Sequence, residues 1–150
     1  MAMPKKPRTN CLNCKKENPF PGYVYCSNKC QLDYQYAQYI ERWLGGQEVG
    51  LQGHGVVSRH IKRYLREKYH NKCCVCGWSQ INIVTGKVPL VADHIDGNWQ
   101  NNVEANLRLI CPNCDSLTAT FAGLNRNRGR KQRAMSKRSR DGKIVVGLPE

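Results

Sequence analysis

The first half of the chain contains two stretches in which apolar residues recur at helical spacing. The first stretch follows Ser27 or Asn28, either of which can cap a helix, and Gly45-Gly46 should end it. Its apolar positions are Leu32, Tyr36, Tyr39, Ile40, Trp43 and Leu44. We expect these side chains to form a packing face of a small module rather than a surface for base stacking.

The second stretch predicts a helix over residues 59–70, with Ser58 as its cap. Ile61, Tyr64 and Leu65 mark the side that should be buried. Four cations lie at i, i+3, i+4 and i+7 and therefore share one face: Arg59, Lys62, Arg63 and Arg66. This face suits DNA phosphates, although a merely solvated helix side would have the same pattern.

The second half of the chain predicts a hairpin followed by a helix. The apolar run at residues 89–92 leads into Asp93-His94, and the alternation at residues 107–110 suits an antiparallel partner strand. Pro112 favours a first helical turn, so a third helix should run from about 112 to 122 and end at Gly123. Helices together with an antiparallel hairpin indicate an α+β fold.

Nine cysteines indicate bound metal. Eight of them form two sets of four, namely Cys11, Cys14, Cys26 and Cys30, and then Cys73, Cys76, Cys111 and Cys114. In a reducing compartment such closely spaced pairs are more often zinc ligands than disulfides, and four thiolates complete one tetrahedral Zn²⁺ site. Cys74 also neighbours a cysteine, but the two-residue spacer and the glycine after Cys76 favour Cys73 and Cys76 as the ligands. Two structural zinc ions are therefore expected.

The charge of the chain favours a polyanionic partner. Its formal net charge is +13, which two four-cysteine zinc sites would lower to about +9. The sequence has no apolar run near the roughly 20 residues of a membrane span and no signal peptide after its basic start. We therefore expect a cytoplasmic protein that binds nucleic acid and no membrane. With no heptad or obvious dimer face, a monomer is favoured.

Composition divides the chain into five segments. Residues 1–10 form a basic arm and residues 129–150 a basic tail, and both should be disordered. A four-cysteine module with its helix occupies residues 11–45, a glycine-rich linker residues 46–57, and a second module with a leading basic helix residues 58–128. The cations that begin the basic run near the end are expected to bind DNA: Arg126, Arg128, Arg130 and Lys131.

Candidate catalytic residues lie inside and just after the second cysteine set. Asp93-His94 ends the predicted first strand, Asn106 precedes the second, and Asp115 follows Cys114 in the first turn of the predicted helix, where it can face Asp93. A neutral imidazole near pH 7 accepts a proton, and two carboxylates suit Mg²⁺ or Mn²⁺, which stabilises charge on a reacting phosphodiester. A structural histidine that donates to a backbone carbonyl is the alternative for His94.

These motifs resemble the HNH endonuclease family over about residues 71–128. The resemblance rests on Asp93-His94, Asn106-Leu107-Arg108-Leu109, the Cys-x-x-Cys frame and residues 117–120. It implies a small zinc-stabilised, treble-clef-like ββα-metal module, preceded by the first zinc module and a linking helix. The whole layout is similar to the small HNH proteins carried by bacteriophages.

The resemblance also implies roles for individual residues. His94 would be the general base, Asp93 a ligand of the divalent metal, and Asn106 the residue that holds the polar loop and His94 in register by side-chain hydrogen bonds. The third position departs from the family pattern, because Asp115 stands where His or Asn is usual. Two carboxylates should bind Mg²⁺ more tightly while making it a weaker Lewis acid.

The expected function is a metal-dependent endonuclease that hydrolyses phosphodiester bonds of double-stranded DNA. A non-catalytic, zinc-stabilised DNA-binding protein would have the same charge and cysteines, but it would have no need of Asp93-His94. RNA is compatible with the charge as well, although the aromatic residues lie on a predicted packing stripe and not on a stacking platform.

Overall fold

The computed structural model describes residues 7–53 and 55–125, which have an α+β fold with two short antiparallel sheets. The chain divides into two compact units between Glu48 and Val49. Outside the described residues lie most of the expected amino-terminal arm, His54 and the whole basic tail, with Arg126, Arg128, Arg130 and Lys131. Within residues 7–53 and 55–125, no helix has the length and apolarity to cross a membrane.

The first unit is a turn-rich segment followed by one long helix, α1 (Asn28–Leu44). The Ser27 hydroxyl caps α1 by accepting the Cys30 N–H at 3.2 Å. Trp43 is buried, whereas Leu32 is 53% exposed, so the predicted packing face covers only part of α1. A 17-residue helix is about 25 Å long, and the unit has too little chain to cover all of it.

A buried amide orders the loop between the two cysteine pairs of the first unit. Asn18 is 1% exposed, and its Nδ2 donates to Thr9 Oγ1 at 3.0 Å and to the Tyr23 carbonyl. Its backbone N–H donates to the Thr9 carbonyl at 2.9 Å. These bonds hold both ends of the loop together, because a buried amide is stable only when its donors are paired.

The second unit begins with a small hairpin inside the predicted glycine-rich linker. Strands β1 (Leu51–Gln52) and β2 (Val56–Val57) pair antiparallel. Gly55 has φ +79°, and a Cβ built on it would lie 2.8 Å from the Trp99 ring. Only glycine fits there, because both the backbone conformation and the close approach exclude a side chain.

Helix α2 (Arg59–Lys68) follows the hairpin and is shorter than the expected 59–70. His70 and Asn71 have φ values of 51° and 54°, and the Asn71 N–H returns to the Arg66 carbonyl at 2.8 Å. This left-handed turn ends the helix. Ile61 and Leu65, both fully buried, face the core.

The core hairpin consists of β3 (Val91–His94) and β4 (Leu107–Ile110), which pair antiparallel. Three of the four β4 residues are buried, and α2 contacts β4. Each buried aliphatic side chain stabilises the fold by about 1.5–3 kcal/mol. Glu104, in the 3₁₀ turn before β4, accepts from Lys68 Nζ at 2.8 Å and from the Tyr64 hydroxyl, which fixes α2 to the hairpin.

The last helix, α3 (Pro112–Ser116), ends six residues before the predicted 112–122 helix would. The Thr118 hydroxyl donates to the Asp115 carbonyl at 2.9 Å, which satisfies an acceptor of the last turn without a further helical turn. Leu117 is 84% exposed, so a longer helix would bury no apolar stripe. A 3₁₀ turn at Ala122–Asn125 ends the described part of the chain.

Candidate active site and metal centres

All nine cysteines are free thiols, and eight form two tight clusters. In each cluster the four sulfurs lie within 4.8 Å of one another. Cys14 and Cys26 are 3.6 Å apart, and Cys76 and Cys111 are 3.7 Å apart. Tetrahedral Zn–S bonds of about 2.3 Å place sulfurs about 3.8 Å apart, so both clusters have the donor type and spacing of a four-thiolate zinc site.

In each cluster the first cysteine has a lowered pKa and a later cysteine has a raised pKa. Burial alone would raise the pKa of Cys11 and of Cys73, but backbone N–H donors, with Cys14 and Cys76 foremost, outweigh it and lower each pKa to about 6. Later in each cluster, hydrogen bonding to a neighbouring sulfur raises the pKa of Cys26 and of Cys114 to about 12. In the first cluster, hydrogen bonding that involves Cys26 first also lowers the pKa of Cys30. Each cluster thus combines thiols whose ionisation is favoured with thiols whose ionisation is resisted, a conflict that a bound dication removes.

The second cluster ties the segment that follows α2 to the end of β4. Cys73 and Cys111 are buried with Ile110, and Trp78 and Leu90 pack against them. The backbone N–H of Cys74 donates to the Leu109 carbonyl at 2.9 Å, while Cys74 itself is exposed and stands outside the cluster.

A cleft of about 360 Å³ lies beside β3 in the second unit. Asp93, His94 and Asp115 all line it, with Trp99 and Phe121 on its apolar wall. These three are among the four residues that sequence reasoning assigned to catalysis, and the fourth, Asn106, does not line the cleft. They do not form a tight ligand cluster, because the two cysteine sets are the only groups of three or more such donors within 4.8 Å among the described residues.

The His94 ring is oriented by a buried amide. Asn102 is 3% exposed, and its Nδ2 donates to the carbonyls of Trp99 and Gln100 at 3.2 and 3.3 Å. Its Oδ1 therefore faces His94 Nε2, 2.9 Å away, and must accept from it. In the neutral imidazole, Nδ1 is then the nitrogen that can take a proton.

Asp93 is bound to a cation of the neighbouring strand. Arg108, directly opposite in the register, donates from Nε to Asp93 Oδ2 at 2.7 Å. Partial burial and the charge of Asp93 raise the pKa of Asp115, while Arg108 opposes this shift. Asp93 and Asp115 are thus close enough for each charge to be felt by the other, and Arg108 is the cation beside both.

Asn106 holds the polar loop that follows β3. Its Oδ1 accepts the Asp96 N–H at 3.0 Å, and its Nδ2 donates to Asp96 Oδ1 and to the Asn101 carbonyl, both at 2.8 Å. The direct side-chain bond to His94 comes from Asn102 instead. Asn106 therefore supports His94 through the loop and not by contact.

The four predicted cations of α2 differ in their surroundings. Arg63 pairs with Glu67 at 2.8 Å, and Arg66 donates to the Val88 carbonyl at 3.2 Å. Lys62 and Arg66 line a second cleft, of about 710 Å³, which Arg59 and Arg63 do not line.

Sequence reasoning missed Asn102, Arg108 and Asp96. The asparagines at 98, 101 and 102 signalled a polar turn, but only the folded loop shows which amide meets His94. Arg108 could be found only from the strand register, since no motif places it opposite Asp93.

Comparison with known proteins gives one curated relative. Over 91 residues the chain is 38% identical to the H-N-H endonuclease F-TflIV of Escherichia phage T5. Over these residues the chain is therefore similar to an HNH endonuclease. The match covers 59% of this chain and 39% of that relative, so the chain spans about two fifths of the relative's length. No family model and no solved structure matches the chain.

Proposed function

We propose that this protein is an HNH-type, metal-dependent endonuclease that hydrolyses phosphodiester bonds of double-stranded DNA. The main support is that Asp93, His94 and Asp115 line one cleft while a buried amide orients His94. The named activity of the phage T5 relative supports the same reaction class.

His94 acts as the general base in this proposal. Because Asn102 Oδ1 accepts a hydrogen bond from Nε2–H, Nδ1 carries the free lone pair and can accept a proton from the attacking water. Asn106 and Asp96 keep the loop after β3 in one conformation, which keeps Asn102 in place beside Nε2 of the ring.

Asp93 and Asp115 would hold a divalent cation such as Mg²⁺ or Mn²⁺. Their oxygens are hard donors, and the pKa of Asp115 is raised first by burial and then by the charge of Asp93, as expected of neighbouring carboxylates. Such a cation supplies Lewis-acid stabilisation of charge on the phosphate. Arg108 donates to Oδ2 of Asp93, which leaves the other carboxylate oxygen for a ligand.

The two cysteine clusters would hold structural Zn²⁺. Four-sulfur donor sets at these separations suit zinc better than the oxygen-preferring cations. Each zinc ion would brace the unit that holds its cysteines. The net charge of +13 favours duplex DNA as the substrate.

Nicking of supercoiled plasmid tests the proposal. With Mg²⁺ or Mn²⁺, the wild-type protein should nick DNA, and His94→Ala should lower the rate about 10²–10⁴-fold, the usual loss for a general base. His60→Ala is the matched control, because His60 lies on α2 and does not line the cleft. Equal rates for wild type and His94→Ala, or nicking by neither, would favour a non-catalytic DNA-binding protein.

A further inference from the structure

The catalytic cleft adjoins the second cleft of the same unit. Gly55, Val91 and Ala92 line both, so the two clefts are neighbours, and together we call them the long groove. Its catalytic end holds Asp93, His94 and Asp115. Its other end, about 710 Å³ in volume, holds Lys62 and Arg66 of α2.

The end of the long groove nearer α2 has an apolar floor. Leu90, Val91 and Leu109 lie there, and Val91 is 38% exposed. The cations stand on the α2 side of this floor. A nucleic-acid backbone has a matching pattern, because apolar sugar faces alternate with phosphates that attract Lys and Arg.

Lys62 is the best placed of the four α2 cations to bind a ligand. Its ammonium makes no hydrogen bond or ion pair within the described part of the chain. Arg66 already donates from one Nη to the Val88 carbonyl and to Asn71, which leaves it further N–H donors. Arg63 is engaged by Glu67, and Arg59 lies outside the long groove.

We propose that the long groove binds the sugar–phosphate backbone of the strand that is cut, with Lys62 contacting a phosphate at a distance from the scissile bond. This inference rests on the proposed endonuclease function and names the path of its substrate. It divides the basic face of α2, because Lys62 and Arg66 contact DNA there while Arg59 and Arg63 do not.

Duplex binding by catalytically impaired protein tests the path. In a His94→Ala background, Lys62→Ala should weaken binding of a short duplex about fivefold and reduce the slope of log K against log salt by about 1. Lys62→Arg should keep both the affinity for the duplex and the salt slope. Arg59→Ala removes the same charge from the same helix and should change affinity less than twofold. Equal losses for the two alanine variants, or no loss for Lys62→Ala, would overturn the proposal.

A neutral methylphosphonate at single positions of the cut strand gives a second measurement. One position at a distance from the scissile phosphate should slow nicking by wild type and by Arg59→Ala but should have no further effect on Lys62→Ala. A position-dependent penalty that persists in Lys62→Ala would contradict the assignment. If wild type nicks no DNA, the endonuclease function fails, while the binding comparison still decides whether the groove holds DNA.

Discussion

Arg108 Nε donates to Asp93 Oδ2 over 2.7 Å, between residues that face each other directly in β4 and β3. The Asp93 side chain is 11% exposed and that of Arg108 27%, so water screens the pair only partly. Asp115 lies near enough to feel both charges. The proposed cation site therefore already contains a positive charge of the protein.

Arg108→Gln should raise the pKa of Asp115 further. Partial burial and Asp93 already raise that pKa, and Arg108 is the group that opposes them. Removing the cation should therefore shift the pKa of Asp115 further upward. Since protonated Asp115 cannot bind a metal, the acid limb of Mn²⁺ binding and of nicking should move to higher pH.

Carboxyl NMR of Asp115 without added Mg²⁺ or Mn²⁺ would measure this pKa directly. Arg63→Gln is the control, because it removes the same charge from an exposed pair with Glu67 outside the cleft. An Asp115 pKa in Arg108→Gln equal to that of wild type would show that the ion pair does not govern the site.

Each of the two cysteine clusters should bind zinc and stabilise its own unit independently of the other. Cys111→Ser removes a buried ligand of the second cluster and should reduce the zinc content from two ions per chain to one. Zinc in such sites contributes much of the folding free energy, with apparent binding values of about 10–16 kcal/mol. The second unit should therefore unfold at ambient temperature, with loss of nicking, while the first unit keeps its metal.

Cys74→Ser provides the matched control for that experiment. Cys74 lies between Cys73 and Cys76 in the sequence, but it is exposed and outside the cluster. Native mass spectrometry should find two zinc ions in this variant, and its thermal unfolding should match wild type. Retention of both ions by Cys111→Ser would disprove the shared site.

The parts of the site that could be predicted are those encoded by spacing along the chain. The Cys-x-x-Cys spacing fixes which sulfurs meet, and the order of Asp93, His94 and Asp115 on strand and helix brings them to one cleft. The contacts of Asn102 and Arg108 depend on loop conformation and strand register, which local pattern does not determine. The predicted length of α3 was wrong for a similar reason, because the Thr118 hydroxyl bonds to the Asp115 carbonyl and competes with the next helical turn.

Asn106→Asp should destabilise the second unit by about 2–4 kcal/mol at pH 7. The change replaces the Nδ2 donor to Asp96 and to the Asn101 carbonyl with an acceptor in a buried position. It also places a second carboxylate against Asp96. Urea unfolding of the two proteins at pH 7 gives the difference in free energy.

The penalty for Asn106→Asp should shrink as the pH falls. Desolvation opposes ionisation of Asp96, but hydrogen bonds, first from Asn101 and then from the Asn98 N–H and Asn106, lower its pKa below the usual value. In wild type this stability is present above the unfolded pKa and is lost as the pH falls through the folded one. In the variant, protonation relieves the repulsion instead. Gln100→Glu adds the same charge to an exposed position of the loop and should show little pH dependence.

Removal of residues 127–150 should weaken DNA binding without unfolding the described units. The deleted segment contains eight Lys or Arg and two acidic residues, and each phosphate contact that it makes contributes about 0.9 to the salt slope. The magnitude of the salt slope should therefore fall by the amount that at least two phosphate contacts contribute. Zinc content and thermal unfolding should stay unchanged. Deletion of residues 141–150 alone keeps the cations of residues 126–140 and should leave the slope as it is. If the salt slope is unchanged after the longer deletion, the phosphate contacts belong to the two folded units. Lys62 in the long groove would then be the first candidate for such a contact.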